Sequence, residues 1–110
     1  MGLDYQLFRV HVDIAKAYRQ NQKAGKAVSK DNIDSAVNHL NKALNDFEAA
    51  LEHAVKAEDD AYQKAGKEID KGSAELKKSI EAYTDGHMES AESHFDSAVE
   101  SYDKALDLIS

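Results

Sequence analysis

The sequence predicts an all-α fold, an antiparallel four-helix bundle built from two tandem 55-residue helical hairpins. Three observations support this prediction. Proline is absent and there are only five glycines, a composition that long helices tolerate better than turn-rich β folds do. Apolar residues recur with heptad spacing, and the two halves of the chain resemble each other. We therefore expect residues 1–110 to form one domain, with repeat 1 at 1–55 and repeat 2 at 56–110.

The internal similarity is clearest when residues 33–52 are placed over residues 88–107. Six pairs of positions are identical at this offset of 55: Ser35/Ser90, Ala36/Ala91, His39/His94, Ala43/Ala98, Ala50/Ala105 and Leu51/Leu106. Because twice 55 is the chain length, the same offset places the first helix over the third. It also aligns Ser29 with Thr84, and we expect these two residues to be the N-caps of the second and fourth helices.

We predict helices over residues 3–27, 31–56, 60–83 and 87–109. The second, third and fourth helices have large and small residues alternating along the heptad, the pattern of a bundle core, and the first departs from it, with Leu3, Val10 and Ala17 at the position that small residues occupy in the others. The large core positions of the second helix are Ile33, Leu40 and Phe47, with Ala43 and Ala50 between them. Asp60 and Gln63 predict a capping box at the start of the third helix. The alternative is one continuous helix over 31–83, because residues 54–60 lack glycine and proline, and that helix would require a dimer.

Several function classes are excluded by residue type. Cysteine is absent, which excludes disulfides, thiolate metal sites and cysteine nucleophiles. The chain lacks the Glu-x-x-His motif of di-iron bundles, the His-Glu-x-x-His zinc motif and a glycine-rich phosphate loop. We therefore predict a non-enzymatic protein. The net charge of −7 argues against nucleic acid as a partner.

No stretch is apolar enough for a membrane span, and no signal peptide is visible. We expect a soluble protein, cytoplasmic or periplasmic if a signal peptide has been removed. Its oligomeric state is predicted as monomer or homodimer.

Four of the five histidines occupy one heptad position, at the boundary of the predicted core. We interpret this position as a weak transition-metal site for Cu²⁺, Zn²⁺ or Ni²⁺, with five candidate ligands: His39, His53, His87, His94 and Asp46. Residues seven apart lie about 10.5 Å apart along a helix, so a site must form between helices. Antiparallel packing predicts that Glu75 lies near His94 and Asp13 near Asp46. Alternatively, the histidines are boundary residues without a ligand.

The segment Gly86-His87-Met88-Glu89-Ser90-Ala91-Glu92-Ser93-His94, followed by Ala98 and Ala105, resembles the unit of the small metal-binding protein family. The segment 32–43 is similar, with asparagine in place of the first histidine. The resemblance implies a helical-repeat protein that binds metal ions through histidines. This chain has Asp46, Ser101 and Leu108 where the pattern would continue the histidines, which implies reduced binding.

Acidic residues also follow one side of the fourth predicted helix. Six of them recur at spacings of three and four, with a single lysine among them: Glu89, Glu92, Asp96, Glu100, Asp103 and Asp107. Such a surface usually serves solubility. The alternative function is that of a protein-interaction module, in which this helix binds a basic protein partner.

Overall fold

The computed structural model describes residues 2–110, with side chains from residue 5 onward. Within this range the chain forms four α-helices and no strand: α1 (Gly2–Ser29), α2 (Ile33–Lys56), α3 (Asp60–Thr84) and α4 (Met88–Ile109). The predicted all-α four-helix bundle is confirmed. The alternative of one helix over 31–83 is wrong, because α2 ends at Lys56 and α3 begins at Asp60.

Three close helix–helix contacts define the bundle. Helix α1 packs against α2, α2 against α3, and α3 against α4, and each connection is short, so consecutive helices are antiparallel. The molecule measures 45 × 18 × 18 Å. None of the helices in the described part of the chain is long and apolar enough to cross a membrane.

The α1–α2 and α3–α4 turns have the same geometry. Asp31 and Gly86, which are 55 residues apart, adopt positive φ angles of 62° and 82°. In each turn the next amide donates back across the helix end, from Asn32 to the carbonyl of Ala27 and from His87 to that of Ala82, both at 2.8 Å. This is the Schellman arrangement, which satisfies carbonyls at a helix C-terminus.

The predicted N-caps of α2 and α4 are wrong. Ser29 and Thr84 are the last residues of α1 and α3, and their hydroxyls donate to the carbonyls of Lys26 and Ile80. The N-cap of α2 is Asn32, whose side chain accepts from the amide of Ser35 at 3.2 Å. The turn therefore lies three residues later than the hydroxyl pattern suggested, because a short hydroxyl side chain can also bond to the preceding helical turn.

The α2–α3 connection reverses the chain without glycine or proline. Ala57 is extended (φ −71°, ψ 127°), and the N-cap of α3 is Asp59, whose carboxylate accepts from the amide of Tyr62 at 3.2 Å. The capping box was therefore predicted one residue too late, at Asp60. Gln63 still contributes, because its side-chain amide donates to the carbonyl of Ala57 at 3.2 Å.

The core contains an aromatic stack that joins diagonally opposite helices. The rings of Phe47 in α2 and Tyr102 in α4 are nearly parallel, with centroids 3.4 Å apart. Tyr102 reaches this position because Gly72 of α3 lies beneath it: a Cβ at Gly72 would come within 2.7 Å of the Tyr102 ring. The Tyr102 hydroxyl is hydrogen-bonded to that of Ser73 at 3.1 Å, so its burial leaves no polar group without a partner.

Candidate functional site

Two of the predicted metal ligands make equivalent contacts in the two hairpins. Nδ1 of His39 lies 2.7 Å from Oε1 of Gln20, and Nδ1 of His94 lies 2.7 Å from Oε2 of Glu75. Both members of one pair are 55 residues from the corresponding members of the other. The predicted proximity of Glu75 to His94 is confirmed.

His53 belongs to a polar cluster between α1 and α2. Its Nδ1 bonds to Oε1 of Gln6, and its Nε2 lies 3.9 Å from Oδ2 of Asp13. Asp13 is only 2% exposed, and its other oxygen accepts from Arg9 at 3.0 Å. The cluster thus places a carboxylate paired with a guanidinium beside an imidazole at the edge of the core.

Asp46 lies close enough to this cluster to respond to its charge. Burial raises the pKa of the Asp46 carboxyl above its ordinary value; the positive charge of Lys16 opposes this shift, and the negative charge of Asp13 adds to it. The predicted proximity of Asp13 and Asp46 therefore has an electrostatic consequence. Two neighbouring carboxylates repel each other, so the negative charge of Asp13 disfavours the ionised form of Asp46.

The remaining predicted ligand, His87, lies apart from the others. It is exposed at the N-cap of α4, and its side chain makes no capping hydrogen bond. Among the residues described, no group of three or more His, Cys, Asp or Glu side chains is placed to hold a metal ion. The structure thus distributes the five candidate ligands over separate places instead of joining them in one site.

Within the described residues, helices α1 and α4 lack the close packing contact that joins the other three pairs of neighbouring helices. A hollow of about 270 Å³ lies between them. A second hollow of about 180 Å³, which Leu40 of α2 and Tyr83 of α3 also line, adjoins it, and Phe95 lines both. We call this feature the α1/α4 groove and define it by eight lining residues: Tyr18, Asn21, Gln22, Gly25, Val28, Phe95, Val99 and Tyr102. The groove combines aromatic and aliphatic walls with two amide side chains.

The acidic residues of α4 border this groove. At 3.6 residues per turn, the six side chains from Glu89 to Asp107 fall within an arc of about 80°, and all six are exposed. Glu92 lines one hollow, and Asp103 accepts from the Tyr18 hydroxyl at 2.8 Å across the groove. We call these six residues the acidic stripe: Glu89, Glu92, Asp96, Glu100, Asp103 and Asp107.

Two residues of the groove were missed by the sequence reasoning. Asn21 is 9% exposed, and its Oδ1 has no hydrogen-bond partner. It falls at a core position of the heptad register of α1, four residues before Gly25, and an asparagine at such a position is a signal of a specificity-determining contact. Tyr18 carries no comparable signal, because its contact with Asp103 depends on how α1 and α4 face each other.

Comparison with protein-family models, curated proteins and solved structures found no match to this chain. The resemblance to the small metal-binding protein family therefore stays a prediction.

Proposed function

We propose that this protein is an interaction module that binds a basic protein segment on α4. The observation that carries the proposal is the acidic stripe beside an apolar groove. Six exposed carboxylates have one lysine among them, Lys104, which lies 3.9 Å from Glu100. The remaining charges of the stripe attract cations over a length of about 27 Å along the helix.

The α1/α4 groove adds apolar surface next to the charges of the acidic stripe. An interface needs apolar area at its centre and polar groups at its rim, and Phe95 and Val99, both half-buried, lie directly beside the stripe. A partner that carries lysines or arginines next to an apolar residue matches both features. Association is therefore expected to be fast at low ionic strength and to weaken as salt screens the stripe.

The test uses a fluorescein-labelled peptide with six lysines spaced by glycine and serine. Its anisotropy should rise on addition of the protein at about 20 mM salt and fall at about 500 mM salt. The variant Glu92→Gln, Asp96→Asn, Glu100→Gln should weaken binding about tenfold or more. The matched control neutralises three exposed acids of α3, with Asp60→Asn, Asp70→Asn and Glu81→Gln.

The control variant changes the net charge by the same amount and should bind nearly as the unmodified protein does. Equal losses of affinity in the two variants would mean that peptide binding depends only on net charge, and the proposal for α4 would be wrong. Absence of any salt-sensitive binding would have the same consequence.

A second candidate function is weak binding of Cu²⁺, Zn²⁺ or Ni²⁺, favoured by the contacts of the half-buried histidines. In His39, His53 and His94, Nδ1 faces an acceptor oxygen, so Nδ1 carries the hydrogen. The lone pair of the neutral ring is then on Nε2. A side chain that holds Nδ1–H in this way is the usual outer partner of a metal-binding imidazole.

Calorimetric titration of Cu²⁺ or Zn²⁺ at about pH 7.5 tests this candidate. Binding should disappear below about pH 5, where imidazoles are protonated, and it should disappear in urea if it depends on the folded bundle. The double variant His39→Ala, His94→Ala should lose most of the heat. His11→Ala is the control, because Nε2 of His11 is engaged by the Tyr62 hydroxyl at 2.8 Å. Undiminished heat in the double variant would contradict this candidate.

A further inference from the structure

Another hollow, of about 270 Å³, lies between the end of α1 and the start of α2, and its lining is basic. Three lysines line it together with polar side chains and a histidine, and none of the lining residues is acidic. It shares no residue with the α1/α4 groove. We call it the basic hollow and define it by its seven lining residues: Lys23, Lys26, Ala27, Lys30, Asn32, Ser35 and His39.

The three lysines of the basic hollow have no acidic partner among the described side chains. All three are exposed, and none takes part in an ion pair. Residues 14–30 contain five basic residues and no acidic one, so this part of α1 supplies no carboxylate. Asp31 and Asp34, which follow along the chain, lower the positive potential of the region but do not line the hollow. The ammonium groups are therefore available to an anion from solution.

The spacing of the lysines brings them to one side of α1. Lys23 and Lys26 are three residues apart and Lys30 follows after four, the spacing of neighbours on a helix surface. Although α1 ends at Ser29, the amide of Lys30 still donates to the carbonyl of Lys26 at 3.2 Å. The three long side chains can therefore reach the same ligand.

Helix α2 adds hydrogen-bonding groups to the opposite wall of the basic hollow. Asn32, Ser35 and His39 have the same spacing of three and four residues, and they bring a side-chain amide, a hydroxyl and an imidazole. The His39 ring is held through Nδ1, which lies 2.7 Å from Oε1 of Gln20. Two helices thus supply donors to one opening, with cations from α1 and polar groups from α2.

The second hairpin has the same turn without the cluster of lysines. Both turns have a residue with positive φ and an amide that donates back across the helix end. The residues that correspond to Lys26 and Lys30 are Glu81 and Asp85. Lys78 is the one lysine retained, and its ammonium group lies 4.0 Å from a carboxylate oxygen of α3. The turn and the start of the next helix are therefore common to both hairpins, whereas the unpaired lysines belong to the first alone.

We propose that the basic hollow binds a phosphate group. At neutral pH a phosphate group carries up to two negative charges and several strong acceptor oxygens, so it can accept from more than one lysine at once. Hydrogen bonds between charged partners are about twice as strong as those between neutral groups. The volume of about 270 Å³ is several times the roughly 30 Å³ of one water molecule, so part of an attached organic group also fits. The inference goes beyond the proposed function, since it concerns an anion on α1 and α2.

Pyrophosphate is a suitable probe, because it presents phosphate groups without an organic part. Calorimetric titration into the full chain, in metal-free buffer at about pH 7.5 and about 20 mM salt, should show saturable binding. The variant Lys23→Gln, Lys26→Gln, Lys30→Gln should weaken this binding about tenfold or more. Pyrophosphate should also raise the melting temperature of the unmodified protein, because a ligand of the native state stabilises it. It should leave that of the variant nearly unchanged.

The matched control removes three lysines elsewhere, with Lys42→Gln, Lys67→Gln and Lys77→Gln. These lysines are also exposed and take part in none of the ion pairs of the described chain. The control changes the net charge by the same amount and should bind pyrophosphate nearly as the unmodified protein does. Far-ultraviolet circular dichroism checks that both variants keep the helical bundle.

Vesicles distinguish a phosphate compound in solution from a lipid headgroup. The protein is sedimented with vesicles of phosphatidylcholine, with and without phosphatidic acid. Co-sedimentation that requires phosphatidic acid and the three lysines would identify a headgroup as the source of the phosphate. Pyrophosphate binding without co-sedimentation would identify a soluble compound.

Two results would overturn the inference. One is the absence of saturable binding to either probe, with pyrophosphate raised to several millimolar. The other is an equal loss of affinity in the lysine variant and in the control, because binding would then depend on net charge and not on the basic hollow.

Discussion

Individual residues of the boundary between core and surface determine the electrostatics of this bundle. Asp13 is paired with Arg9 at 3.0 Å, and the guanidinium offsets part of the cost of burying the carboxylate. Asp46 has no such ion pair among the described side chains. Its contribution to stability is therefore expected to vary with pH.

Asp46→Asn should stabilise the protein at neutral pH and have little effect in acid. Because the pKa of Asp46 is raised in the folded state, chiefly by burial, the folded state holds the proton more tightly than the unfolded one. The stability from this group is complete below its unfolded pKa and is lost as the pH rises through the folded pKa. Asparagine removes that loss.

Thermal unfolding at about pH 7 and about pH 3 measures this difference. Asp70→Asn, an exposed position of α3, makes the same charge change and is the control. A melting temperature for Asp46→Asn that is unchanged or lowered at neutral pH would contradict the assignment.

At the scale of the helices, the first helix of each hairpin ends with the same backbone conformation. The residue after the last turn of α1 or α3 takes a left-handed conformation, which glycine adopts freely and other residues adopt at a cost. Gly86 fills this position in one hairpin and Asp31 in the other. Aspartate and asparagine tolerate it better than other non-glycine residues do.

Gly86→Ala should destabilise the protein by about 1 kcal/mol, because a Cβ is unfavourable at a φ of 82°. The control is Gly25→Ala within α1, where an added Cβ meets no atom within 4 Å. That change should stabilise by about 0.5–1 kcal/mol, since alanine favours helix and restricts the unfolded chain. Urea unfolding measures the change in the free energy of unfolding for each variant. A change of the same sign in both would contradict the left-handed turn assigned at Gly86.

At the scale of the whole molecule, small residues let the helices approach closely. Ala43 of α2 and Ala98 of α4 are at most 1% exposed, and they occupy the same position of their hairpins. Phe47 and Tyr102 reach across the bundle between such alanines. Close approach is therefore what allows the two hairpins to share one aromatic core.

Ala43→Leu or Ala98→Leu should overpack this core and cost about 1–3 kcal/mol in the free energy of unfolding. Ala74→Leu, at an exposed position of α3, adds the same atoms where there is room and should cost almost nothing. Comparable losses at buried and exposed positions would show that the helices do not pack with these alanines between them.

Much of this architecture could be predicted from the sequence, because the apolar pattern of each helix can be recognised without knowing which helices pack against it. Heptad spacing depends only on the helical repeat, and it identified four helices whose ends agree with the structure within three residues. It also placed Glu75 beside His94, since antiparallel helices bring equivalent boundary positions together. The helix caps were less predictable, because Ser29 and Thr84 can bond either forward to a new helix or back to the preceding turn.

The tertiary structure decided what depends on two helices at once. A heptad pattern states which side of a helix is buried, but not how closely two particular helices approach, because that distance depends on the side chains packed between them. The bundle is closely packed along α1–α2, α2–α3 and α3–α4, while the α1/α4 groove stays accessible beside the acidic stripe. In the same way, only the packed structure directs Nδ1 of three histidines toward neighbouring side-chain oxygens, since hydrogen-bond partners from another helix are set by the distance between the helix axes.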